Sequence, residues 1–201
     1  KDAHGGFTIS PDSAYLFWVW RAPNGLPAKI FRRPLRGGSA DDVLVYEEKD
    51  IGKFLGVDVS ESGEFILISI GDQETSEFHT VPASTPTAAP TLFAERKVGE
   101  YYSPTHFDGK WYILTNADGA VDFKIMTAPV GDMKRASWKE FSPHQPGRYI
   151  QGLWAFSNHL VRLERANALP RIVVRERVSG AEKKIEQAEA AFALGVSGSY
   201  E

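Results

Sequence analysis

FTISPDSAYLFWVW, Phe7 to Trp20, opens as an apolar run, turns on Pro11-Asp12-Ser13 and resumes as a dense aromatic strand. The pattern returns as LGVDVSESGEFILISI from Leu55, YYSPTHFDGKWYILTN from Tyr101 and LWAFSNHLVRLERA from Leu153. The copies stand about 46–50 residues apart, a period that signals a β-propeller or another stacked array. A propeller blade is usually scaffold or gate, so the chemistry need not reside in this chain.

Outward from these copies, turn residues recur at the spacing of short strands. In the first repeat, strands are predicted over Tyr15–Arg21, Ala28–Pro34 (the more exposed one) and Val43–Tyr46, after turns at Pro23-Asn24-Gly25 and Gly37-Gly38. With the opening run that makes four strands, the number a blade needs. The second repeat predicts strands at Glu64–Ile70, around Glu77–Val81 and at Thr91–Ala94. The Pro-rich stretch Pro82–Pro90 reads as a blade-edge loop rather than a linker. The third gives Trp111–Asn116, Phe123–Ala128 and Trp138–Phe141; the fourth gives His159–Glu164, Arg171–Glu176 and Lys183–Glu186.

Ala181–Phe192 has helical composition, but the repeat predicts a strand there. Phe65-Ile66-Leu67-Ile68 and Trp111-Tyr112-Ile113-Leu114 are apolar on both faces, as sheets sandwiched between sheets must be. Five Trp and twelve Phe supply the large side chains for such contacts. The expected fold is all-β: a propeller segment of about four blades of four antiparallel strands, part of a seven-bladed ring. The blades cover approximately 7–50, 54–97, 100–147 and 150–190, with the next beginning at 191–201.

The 201 residues are too few for seven blades. The chain opens on Lys1 and closes on Glu201 without a closing signal, which reads as a segment of something longer. A net charge of −3, with cations spread among carboxylates, argues against a nucleic-acid partner. The absence of cysteine removes disulfides, Cys-ligated zinc and a Cys nucleophile. No apolar run is long enough for a membrane-spanning helix.

Candidate chemistry is sparse. Gly195-Val196-Ser197-Gly198-Ser199 lacks the last Gly of a nucleophile elbow and reads as a Gly/Ser turn. The five histidines show no ligand spacing, so no metal or cofactor is expected. His106 is read at the same phase of its repeat as Ser10 and Ser60; the first strand of each blade would line the channel, so Ser10, Ser60, His106 and Phe156 are the candidate channel-lining positions. Asp72-Gln73-Glu74-Thr75-Ser76-Glu77 is the most distinctive polar stretch. Asp72, Glu74 and Glu77 could meet a basic peptide, but a solvated hairpin capped by Thr75 and Ser76 is the plainer reading. Asp41-Asp42 and Glu47-Glu48-Lys49-Asp50 read as exposed loop charges, and Arg32-Arg33 and Lys183-Lys184 as edge-strand charges.

Several stretches resemble one family. Leu26-Pro27-Ala28-Lys29-Ile30-Phe31-Arg32 and Tyr46-Glu47-Glu48-Lys49-Asp50 are similar to blade junctions of oligopeptidase B, in the prolyl oligopeptidase family. So are Thr75-Ser76-Glu77 and Glu100-Tyr101-Tyr102-Ser103 with His106 and Trp111–Asn116. Trp138-Lys139-Glu140 with Pro143-His144, and Ala191-Phe192, complete the set. Each motif is weak singly; their order spans the chain. The resemblance implies a seven-bladed propeller over an α/β-hydrolase domain of the same parent chain. It implies a Ser-Asp-His triad on that second domain and cofactor-free cleavage of short peptides after Lys or Arg. It also implies a propeller that limits substrate size, and a cytoplasmic location. No triad motif has a counterpart here, so no catalytic residue is carried over, and the early blades and hydrolase domain are missing from this chain.

Two rivals remain at this level: a protein- or peptide-binding propeller without peptidase activity, and a propeller glycosidase using carboxylates such as Asp72 and Glu74. An open arc of blades is also expected to self-associate through its uncovered faces.

Overall fold

The computed structural model describes residues 3–185, 193–198 and 200. Among these, sixteen strands form four antiparallel sheets of four, each in chain order. The chain divides into two compact units, Lys1–Gly99 and Glu100–Glu201, with two sheets in each.

In the first unit, β1 (Ala3–Ile9), β2 (Tyr15–Arg21), β3 (Pro27–Pro34) and β4 (Val43–Glu47) make the first sheet. The second is β5 (Phe54–Val59), β6 (Phe65–Gly71), β7 (Ser76–Pro82) and β8 (Thr91–Ala94). Side chains alternate across a strand. Phe17, Val19 and Ile30 therefore share one face, and that face packs on Leu55, Ile66, Ile68, Ile70 and Val81 of the second sheet. Each fully buried side chain of this size contributes about 1.5–3 kcal/mol. β3 is less exposed than its charges suggest, because Ile30 is fully buried. The Pro-rich connection between β7 and β8 is an ordered loop. Its Thr85 and Ala88 amides donate to Pro82 and Thr85 carbonyls, and Arg32 of β3 donates to the Pro86 carbonyl at 2.9 Å.

In the second unit, β9 (Tyr102–Phe107), β10 (Lys110–Thr115), β11 (Lys124–Pro129) and β12 (Lys139–Ser142) form one sheet. The other is β13 (Arg148–Phe156), β14 (His159–Ala166), β15 (Leu169–Glu176) and β16 (Glu182–Lys184). β10 is buried on both faces from Trp111 to Thr115, as its unbroken apolar run predicts. Phe107, Tyr112, Leu114 and Ile125 pack on Ile150, Leu153, Ala155 and Leu160. A bulge in β13 lies between Ile150 and Gly152. A Cβ on Gly152 would lie 2.3 Å from the Trp154 ring, so only glycine lets that ring cover the backbone.

The helix-like segment Ala181–Phe192 begins as a strand, β16; its residues 186–192 lie outside the described residues.

Candidate functional site

The four candidate channel positions sit at or near the hairpin that joins the first two strands of each sheet. Ser10 and Ser60 do the same job. Each hydroxyl accepts the amide of the residue five further on, Tyr15 at 2.9 Å and Phe65 at 3.1 Å. Ser10 Oγ also donates to Asp12 Oδ1 at 2.5 Å, and Ser60 Oγ lies 3.0 Å from Ser62 Oγ. Both serines are buried, their hydroxyls spent on closing a four-residue turn.

The third and fourth hairpins are tighter. Asp108-Gly109 joins Phe107 to Lys110, and Ser157-Asn158 joins Phe156 to His159. Phe156, half-buried, is thus the counterpart of Phe107, whereas His106 lies one pair further into β9, opposite Trp111. The His106 ring is buried edge-on against Trp111, at 5.1 Å between centroids. His106 keeps the phase of Ser10 and Ser60, each standing opposite the residue five further on, and the tighter third turn only adds the pair of Phe107 with Lys110 beyond it.

The acidic stretch does not behave as one loop. Only Gln73 and Glu74 are exposed. Asp72 caps the turn, accepting the amides of Glu74 and Thr75 at 2.9 and 2.8 Å and pairing with Lys53. The Lys53 ammonium and these amides hold the Asp72 carboxyl below its ordinary value. Thr75, Ser76 and Glu77 are buried, so the cap comes from Asp72 rather than from Thr75 or Ser76.

Glu77 belongs to an ionic cluster that ties the two sheets of the first unit. Arg96, just past β8, donates its backbone amide and Nε to Glu77 Oε2 at 3.1 and 3.2 Å, and Nη2 to Glu77 Oε1 at 3.0 Å. The same Nη2 reaches Glu48 Oε2, beyond β4, at 2.6 Å. His79 Nε2 lies 3.3 Å from Glu77 Oε1, and the Tyr46 hydroxyl donates to Glu48 at 3.2 Å. Burial pushes Glu77 up, but the bonds from His79 and Arg96 outweigh it and hold the carboxyl at about 2. Burial, with Glu48 and Glu77 nearby, pushes the Tyr46 phenol up to about 12. Glu48 is therefore not an exposed loop charge: its side chain is 7% exposed. Asp42 departs likewise, accepting Trp18 Nε1 at 3.0 Å and both arms of Arg33 at 2.7 Å. Arg96 escaped the sequence reading because it stands outside any strand period. Glu77 gave the one available signal, a carboxylate placed within a strand that faces inward.

A second cluster ties β14 to β16. Arg162 bonds Glu164 at 3.0 Å and Glu182 at 2.8 Å, and Glu164 is buried. Among the described residues, no group of three or more His, Asp or Glu side chains is placed to hold a metal ion. Gly195–Gly198 follows no regular element; Gly198 abuts the Phe156 ring, and the Tyr200 carbonyl accepts the Ser157 amide at 2.7 Å. Ser199, the last residue of the elbow-like sequence, lies outside the described residues. Both ionic clusters brace sheets, and neither sets a nucleophile beside a base.

Four-stranded antiparallel sheets in chain order, paired through buried apolar faces, are the blades of a β-propeller. The chain belongs to the family of the prolyl oligopeptidase N-terminal beta-propeller domain, which residues 4–201 match. It is 35% identical, over its whole length, to 28% of the dipeptidyl aminopeptidase BI of Pseudoxanthomonas mexicana. Over 80% of its length it is 30% identical to 23% of Protease 2 of Moraxella lacunata. Oligopeptidase B from Leishmania major superposes on 94% of this chain with a TM-score of 0.85, at 22% identity and over 28% of that chain. The Trypanosoma brucei oligopeptidase B in closed form, with covalently bound antipain, gives 0.86 at 20% identity. The chain spans roughly a quarter of the length of these relatives.

Proposed function

We propose that this chain is the non-catalytic, substrate-limiting part of a serine peptidase that hydrolyses short peptides after Lys or Arg. The observation that carries the reading is the family match over residues 4–201, joined to two braced pairs of blades without a nucleophile–base pair among the described residues. Its partner is the α/β-hydrolase domain of the same parent chain. A ring of blades excludes folded proteins by size, so the gate needs no reactive side chain and no cofactor. The hairpins bearing Ser10, Ser60, His106 and Phe156 face the passing peptide. Ser10, Ser60 and His106 act there through the backbone they fix, and Phe156 through its half-exposed ring. Of Asp72, Glu74 and Glu77, exposed Glu74 stands as the acidic contact for a basic peptide, since Lys53 already pairs with Asp72 and Arg96 with buried Glu77. The cytoplasm, where short peptides from protein turnover need clearing, is the compartment that suits this role.

The test is Phe156→Ala in the whole natural protein. The rate ratio between long and short peptides should change while cleavage of the short ones persists. Complete loss of cleavage with folding intact would sink the gating role.

By itself the 201-residue chain should self-associate. Phe7, 63% exposed, heads a row of paired residues, Trp18, Phe31 and Leu44, on the first-sheet face opposite its buried one. Sedimentation as a monomer at high concentration would contradict this.

A further inference from the structure

In the second unit, three rings join the starts of two neighbouring sheets. Tyr101, before β9, lies 6.1 Å from Phe123, and Phe123 lies 5.7 Å from Tyr149 of β13, both edge-on. Tyr101 is 37% and Tyr149 40% exposed, and Val121 beside them is 75% exposed. Burial and the neighbouring Tyr149 both push the Tyr101 phenol upward, which fits two hydroxyls on one rim.

The ring between them is held at a cost. Phe123 has φ 65°, a left-handed conformation that a bulky side chain adopts rarely. Its loop is pinned to the next sheet's approach. The Asp122 amide donates to His144 Nε2 at 3.3 Å, Asp122 Oδ2 accepts the Gly147 amide at 2.7 Å, and the Asp122 carbonyl accepts the Ile150 amide at 3.0 Å. Strain that is overdetermined in this way marks a preorganised surface.

Elsewhere the chain covers its aromatic faces with its own cations: Lys29 over Trp20, Arg33 over Trp18, Arg135 over Trp138 and Arg175 over Phe141. Among the described residues, no cation lies over Tyr101, Phe123 or Tyr149. The loop's lysine, Lys124, is held by Asp118 at 2.8 Å, and Arg148 is engaged by Ser142 Oγ and the Pro143 carbonyl. Asp122 adds a carboxylate, its side chain 27% exposed, next to Phe123.

From this geometry we infer that Tyr101, Phe123 and Tyr149 form a ledge that takes a guanidinium or ammonium side chain of a peptide, over the ring faces and beside Asp122. Cation–π attraction at an exposed site gives weak binding, suited to guiding a peptide rather than retaining it.

The test is NMR titration of the 201-residue chain, held below the concentration at which it self-associates, with acetyl-Gly-Arg-Gly-amide, and with the same peptide carrying norleucine or glutamate. The arginine peptide should bind saturably, with ring-current shifts of its side-chain protons, and the other two more weakly. Tyr101→Leu and Tyr149→Leu should each weaken binding about 2–5-fold, as expected for one exposed cation–π contact. Tyr149→Phe, which keeps the ring, and Trp20→Leu, whose ring Lys29 already covers, should leave it unchanged. Equal binding of arginine and norleucine peptides, no saturable shift, or indifference to both leucine variants would overturn the ledge. Binding needs no cleavage, so this site and the peptidase reading fail separately.

Discussion

Ser13 and Gly63 hold the same corner of two successive sheets. Their amides donate to Ser10 and Ser60 carbonyls at 2.7 and 2.8 Å, and their φ angles are 57° and 73°. Glycine adopts this region without penalty, whereas serine does not. Ser13→Gly should therefore stabilise the first unit by about 0.5 kcal/mol, after the added chain entropy of glycine is deducted. Urea denaturation should show a higher midpoint at unchanged slope. A lower midpoint would mean that the Ser13 side chain supports the turn in some other way.

Arg96 joins Glu77 of the second sheet to Glu48 beyond the first. Removing it strands two carboxylates that are little exposed. Arg96→Met should cost about 2–3 kcal/mol, below the figure for a fully buried pair because the Arg96 side chain keeps some contact with water. Glu77→Gln in the Arg96→Met background should cost much less than it does alone. Additive losses in that double-mutant cycle would show that the pair is not coupled.

The same cluster sets two pH limits. Glu77 is held at about 2, below its ordinary 4.5, so the folded state binds fewer protons there than the unfolded one. Its contribution is complete above pH 4.5 and is lost as pH falls toward 2. Tyr46 is raised from 10.0 to about 12, so its contribution is complete below pH 10 and is lost as pH rises toward 12. Glu77→Gln should flatten the acid limb and Tyr46→Phe the alkaline limb of stability against pH. Limbs unchanged by both substitutions would contradict the two assignments.

Gly152→Ala tests the close approach in β13. The added methyl cannot coexist with the Trp154 ring where it lies, so the ring must swing off the sheet. Thermal unfolding should show a loss of about 1–3 kcal/mol. Wild-type stability would mean that Trp154 repacks freely.

Most of the fold was legible because period and turn chemistry agree. β2 and β8 fall where the residues predict, and β6, β10 and β14 nearly so, since each is a dense apolar run between turn residues. His106 stands where its spacing puts it, opposite Trp111 as Ser10 is opposite Tyr15. Not legible was that Asp108-Gly109 turns in two residues where Pro11-Asp12-Ser13-Ala14 takes four, which adds the pair of Phe107 with Lys110. Nor were the ionic clusters. Glu48 and Arg96 are 48 positions apart, and only the folding of one sheet against the next brings them together. The Tyr101–Phe123–Tyr149 ledge joins three segments in the same way, with no local signal beyond the aromatic residues themselves.

The gating account stands or falls on substrate size. The whole natural protein carrying this segment should be given a ladder of unstructured peptides of increasing length, each with one arginine, alongside a folded protein. The account predicts cleavage after arginine that falls steeply with length, and an intact folded protein. Cleavage independent of length, or ready digestion of the folded protein, would contradict it.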